Sequence, residues 1–289
     1  MRRFLLAAVM FGAVSGAQAA DLPDFPVLRG SQGLSTPTRN WDGWYAGGQV
    51  DYTSVQADFS RSIVGLTNFI FRDSILESAV SQFSLLPKTT TQGSGFGAFV
   101  GRNYQWDDLV LGFEANYTYL TSLATSTTGS NVLLVPGEAA PPGHTYTYKV
   151  VLTGGSAIQI KDVITFRGRA GWACDDFLPY AFGGLAVGRM DASRRVTSDV
   201  SKRDDVTTTD ALGNTTTTIG SYFPVPAQSQ TLQEGRTNFV AGWTGGLGAE
   251  YMVWRGLFVR AEWEYTKFLS IKDTIVQTNS LRAGLGYKF

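Results

Sequence analysis

The 289 residues carry 24 basic and 24 acidic side chains, 33 Gly, 18 Phe, 12 Tyr and 7 Trp, and 17% are charged. This balance offers no basic surface for nucleic acid, and the single cysteine, Cys174, excludes an internal disulfide. Richness in glycine and aromatics with little charge fits strands that are apolar on one side only.

In chain order, "MRR", "FLLAAVMFGAV" and "AQA" ending at Ala19 supply the basic, apolar and small-residue parts of an export signal. The apolar run is shorter than the roughly 20 residues a spanning helix needs. Residues 1–20 are therefore predicted to be a signal peptide, and the mature chain to begin near Asp21. Loss of Arg2 and Arg3 leaves 22 basic against 24 acidic residues, a formal charge of −2. Residues 21–40 hold three of the ten prolines, show no periodicity and read as a periplasmic linker. Residues 41–289 read as a β-barrel.

Strand-like alternation begins at "WYAGGQVDYTS" (44–54) and returns at 94–105, 109–120, 162–173, 179–190, 238–253, 257–268 and 280–289. Eight such segments, joined by alternately long and short connections, predict an all-β fold: an eight-stranded antiparallel up-and-down transmembrane barrel. Short joints such as "WDD" (106–108) and "WRG" (254–256) fall on the periplasmic side with both termini. The long ones at 59–93, 121–160 and 191–237 are expected as extracellular loops. The parity of "PYAFGGLAVGRM" (179–190) stays open, because glycines occupy both faces.

In hydrocarbon an unpaired backbone N–H or C=O finds no water, so a spanning sheet must close on itself. Lipid-facing positions are then apolar, and lumen-facing positions can be charged. Glu114, Arg167, Arg169, Glu250, Arg260, Glu262, Glu264 and Arg282 all take the parity opposite to the aromatics. One Arg or Lys on the lipid face near the midplane costs about 2–4 kcal/mol, so these eight are read as lumenal. An eight-stranded lumen is just wide enough for side chains, and buried charges must be paired. The eight are expected to plug the barrel as an ion-pair network; the alternative is a selectivity ring in a narrow passive channel. Trp44, Trp106, Trp172 and Trp254 at the periplasmic ends, and Trp243 and Tyr265 toward the outer ends, together with Trp263, are expected to form aromatic girdles.

"NWDGWYAGGQVDY" (40–52) after an "ADLP" start, "VGRNYQWDDLVLGFEANY" (100–117), "PYAFGGLAVG" (179–188) and "LRAGLGYKF" (281–289) resemble the Omp25/RopB family of small outer-membrane barrel proteins of alphaproteobacteria. The resemblance implies an outer-membrane address in a Gram-negative cell, with lipid and lipopolysaccharide as surroundings. It also implies a role in envelope integrity or surface interactions through the loops, as in a surface antigen, with no catalytic residues and no cofactor. Leu285, Tyr287 and Phe289 would, on the same resemblance, be both lipid-facing surface and the C-terminal signal read by the outer-membrane assembly machinery.

Other side chains carry less. His144 in "PPGHTYTY" is the one histidine, in an expected loop and without the partners that rim chemistry requires, so no enzyme is predicted. Cys174 has no second thiol or histidine nearby for a metal. The Thr-rich "DVTTTDALGNTTTTIG" (205–220) is expected as a flexible surface loop. "IVGLTNFIFRDSILESAVSQF" (63–83) is expected as a short amphipathic helix over the mouth or in the outer leaflet. The sequence names no ligand for these segments.

Overall fold

The computed structural model describes residues 40–81, 85–137 and 140–289; the expected signal peptide, and the expected linker up to residue 39, lie outside them. The strands in chain order are β1 (Gly43–Asp58), β2 (Lys88–Trp106), β3 (Leu109–Pro136), β4 (His144–Trp172), β5 (Phe177–Thr209), β6 (Thr215–Thr218), β7 (Tyr222–Pro224), β8 (Thr231–Met252), β9 (Leu257–Phe268) and β10 (Ile275–Lys288). All but the short β6 and β7 close into an antiparallel barrel of eight, in the order β1-β2-β3-β4-β5-β8-β9-β10. Closure is made by β10 returning to β1, with Gly48 opposite Leu285 and Asp51 opposite Arg282.

Period two decides which way each side chain points. Val50, Phe96, Phe113, Phe166, Leu185 and Leu247 stand exposed on the outer wall, while their chain neighbours face the axis. Among the described residues no helix is long and apolar enough to cross a membrane; the strands cross instead. The open parity of 179–190 resolves with Tyr180, Phe182, Gly184 and Ala186 inward. Gly184 is required there: a Cβ would lie 2.0 Å from the Phe166 carbonyl oxygen, opposite Arg167 in the β4–β5 ladder.

The expected loops at 121–160 and 191–237 are largely strand. β3, β4 and β5 run for 28, 29 and 33 residues, whereas β9 has only 12. One side of the barrel therefore continues outward as a four-stranded extension of β3, β4, β5 and β8. The cause is the abundance of Thr and Val, which suit a pleated surface, and ladders such as Ser130↔Thr153, Thr153↔Thr197 and Thr197↔Thr231 that satisfy the backbone outside the bilayer. The segment 205–220, expected to be flexible, is likewise mostly a hairpin of β5 and β6. Asp210 closes its turn by accepting the Leu212 and Asn214 amides at 2.9 and 2.8 Å.

Between β1 and β2, α1 (Val64–Phe71) and α2 (Glu77–Ser81) lie over the mouth, not in the leaflet. α1 buries Leu66, Thr67, Ile70 and Phe71. With Phe59, Ile63 and Leu76 they pack on Leu123, Leu152, Ile160 and Met190 of the extension's inner face. Each large apolar side chain buried this way contributes about 1.5–3 kcal/mol, so the cap is held mainly by packing.

Candidate functional site: the barrel lumen

Ladder register brings the lumenal charges opposite one another: Glu114 with Arg167, Glu250 with Arg260, and Glu262 with Arg282. The structure gathers all eight sequence-predicted residues into one cluster in which none is more than 6% exposed. Arg167 donates to Glu114 at 2.9 Å, Glu262 at 2.6 Å and Glu264 at 3.1 Å. Arg260 donates to Glu114 at 2.7 Å and to Glu250 at 2.6 Å. Arg169 reaches Glu250 at 2.8 Å, and Arg282 grips both oxygens of Glu264 at 2.6 and 2.8 Å. Forked guanidiniums bridging several carboxylates are the arrangement in which buried ions compensate their lost hydration.

Aromatics complete the cluster from inside. Tyr45 donates its hydroxyl to Glu114 at 2.7 Å, and Tyr180 donates to Glu262 at 2.5 Å. Arg167, Arg169 and Arg260 lie 4.0, 3.9 and 3.8 Å from the ring centres of Phe182, Tyr180 and Phe99, each gaining from the ring quadrupole. Beneath them Trp41, 1% exposed, packs edge-on to Phe258 at 6.5 Å and donates its indole N–H to the Asp175 carbonyl at 3.1 Å. Tyr45, Phe99, Trp41, Tyr180 and Phe258 thus floor the lumen on the periplasmic side. Sequence reasoning missed this floor, because an aromatic in such a chain reads first as lipid surface. For Tyr45 and Phe258 the signal was parity, shared with Asp51 on β1 and with Arg260 on β9.

Above the ions the axis passes Leu120 and Val163 and reaches the apolar cap. The cap's entry is tied to the extension by Arg194, which donates to the Ser62 carbonyl at 2.8 Å and to Glu234 at 3.1 and 3.0 Å. Lys272, between β9 and β10, donates to the same Glu234 oxygen at 2.7 Å. Hydrogen bonds from Lys272 and then Arg194 hold the Glu234 carboxyl below the usual carboxylate range.

On the outer wall Trp44, Trp106, Trp172 and Trp254 stand exposed near the short turns, with Trp263 higher and Trp243 5.3 Å from Tyr265. Leu285, Tyr287 and Phe289 are exposed on the same wall at the end of β10. Not every charge of the strands stays inside: Lys267 is exposed on the parity of Trp263 and Tyr265, and Arg102 departs from the expectation too. Arg102 faces out between the rings of Trp44 and Tyr104, 3.7 Å from Asp42, at a depth where its head can reach the interface. His144, expected in a loop, opens β4 instead and lies 2.9 Å from Asp204 of β5. Cys174 is exposed in the turn between β4 and β5. Among the described residues no group of three His, Cys, Asp or Glu side chains could hold a metal.

An antiparallel barrel with a lipid-facing wall, an ionic axis and short turns on one side defines an outer-membrane β-barrel protein. The chain belongs to the outer membrane protein beta-barrel domain family, matched over residues 4–289, and its address is the outer membrane. A 22 kDa outer membrane protein of Rhizobium leguminosarum bv. viciae is 25% identical over 262 residues, covering 88% of this chain and 80% of that protein. Among solved structures, Ail, the attachment invasion locus protein of Yersinia pestis, matches at 10% identity and a TM-score of 0.30 over 85% of this chain and 99% of its own. Neisserial surface protein A matches at 16% identity and a TM-score of 0.27 over 86% and 98%.

Proposed function

We propose that the protein is a structural, non-enzymatic element of the outer membrane that maintains envelope integrity and offers its extension for interactions at the cell surface, with a lumen that does not conduct. The observation that carries this reading is the stack along the axis: the aromatic floor that includes Trp41, the four guanidiniums shared among four glutamates, and the apolar cap. A solute following the axis would have to break several charge-assisted bonds in a site of low polarity, which is unfavourable by several kcal/mol. A narrow passive channel is the competing reading and needs a wet path past Arg167 and Glu262. Leu285, Tyr287 and Phe289 serve, on the family likeness, as the assembly signal. Planar-bilayer recording of the refolded protein tests the proposal: no steady conductance is expected. Stable channels that disappear on changing Arg167 or Glu262 would overturn it.

A further inference from the structure

The buried ions along the inward positions leave the lumen one cation short, Lys288 at the periplasmic end being half-buried with Asp42 as its charged neighbour. Five buried carboxylates face it, Asp51, Glu114, Glu250, Glu262 and Glu264, against four guanidiniums, Arg167, Arg169, Arg260 and Arg282. The other buried carboxylates among the described residues, Asp162 and Asp205, pair with Arg189 and Arg203 on the extension. The deficit therefore belongs to the lumen.

It has an address. Each of the four glutamates accepts at least one guanidinium. Asp51 accepts none, although it is 5% exposed and sits opposite Arg282, which turns both Nη groups to Glu264. Among the described residues its Oδ1 receives only the Thr53 hydroxyl at 3.3 Å, and its Oδ2 has no hydrogen-bond partner. One inward position below, Gln49 is equally buried, and its Oε1 also has no partner. Across from these two on β2 stand Gly95 and Gly97, and a Cβ at Gly95 would lie 2.7 Å from Asp51 Oδ1. Beyond them β3 presents Thr118 and Leu120, so neither β2 nor β3 brings a charge to Asp51. Arg282 from β10 and Glu264 from β9 are its charged neighbours, and with Asp51 they sum to minus one. Beside it, Thr53, Thr118, Thr266, Thr278 and Ser280, with Leu120, Val163, Glu264 and Arg282, line a cavity of about 10 Å³, room for one water-sized occupant, and Thr53 links it to Asp51.

An uncompensated charge among low-polarity walls is strongly unfavourable, and a divalent ion would overshoot. We propose that Asp51, with the neighbouring cavity that Thr53 shares, holds one monovalent cation that completes the lumen's charge: a proton on the carboxylate, or an alkali-metal ion seated between Asp51 and the cavity's threonines. The site stands whether or not the lumen conducts.

The test uses the refolded protein in detergent, unfolded by urea at equal ionic strength in sodium, potassium or choline salts, alongside infrared spectra of wild type and Asp51→Asn. An alkali-metal ion gives a higher urea midpoint in sodium or potassium than in choline, a difference lost in Asp51→Asn. A proton gives equal midpoints in the three salts and a carboxylic-acid carbonyl band that Asp51→Asn removes. Gln49→Lys, which sets an ammonium beside Asp51, removes either signature and decides the matter if the asparagine variant fails to fold. A wild type with neither a cation-specific midpoint nor a carbonyl band lost in either variant overturns the proposal.

Discussion

Arg260 binds the lumen's ions into one unit. It serves Glu114 and Glu250 together and lies 3.8 Å from the ring centre of Phe99, so its loss takes a guanidinium from both carboxylates and leaves Glu114 to Arg167 and Glu250 to Arg169. Breaking a buried pair from one side costs about 3–5 kcal/mol. Arg260→Met is expected to lower the urea midpoint accordingly, and Arg260→Met with Glu250→Gln to regain part of the loss. A single variant as stable as wild type would mean the cluster is solvated and uncoupled. The inward placement of these charges follows from period two alone, since one face of each strand must meet lipid. Asp51 shares that parity, but the sequence does not say that its register partner is already engaged by Glu264. The inward aromatics were hidden for a related reason. Phe182 and Phe258 are apolar like the wall residues, and only the cationic neighbours that stack on them justify their place on the axis.

At the scale of elements, the tie between β5, β8 and the β9–β10 connection rests on Glu234. Its folded-state carboxyl titrates below the ordinary value because Lys272 and Arg194 donate to it. A depressed value means the contribution is complete above the unfolded Glu value of about 4.3 and is lost as pH falls through the folded one. Spin labels at Arg61 and Ser270, in a Cys174→Ser background, are expected to show a broadened distance distribution as pH drops below that range. Glu234→Gln should be broad already at neutral pH and insensitive to acid. An unchanged distribution in both would leave the cap held by packing alone. The existence of eight crossing strands was legible in the alternation, but their upper limits were not. Thr-rich chain such as 205–220 is polar enough to read as loop, and only hairpin partners reveal it as sheet.

For the molecule as a whole, closure between β1 and β10 leaves no free edge within the bilayer, so unfolding there must open the entire ring at once. Native and heat-unfolded samples should therefore migrate differently in detergent gels, and identical mobility would contradict a closed ring. Above the bilayer the chain stands as pleated wall. Successive residues of a strand look in opposite directions, so an antibody or phage fibre approaching the outer surface would meet every second residue from each of several strands. A mosaic assembled from β3, β4, β5 and β8 has no counterpart in any short synthetic peptide; the hairpin tip at 208–219, exposed at every residue, is the stretch a linear fragment can reproduce.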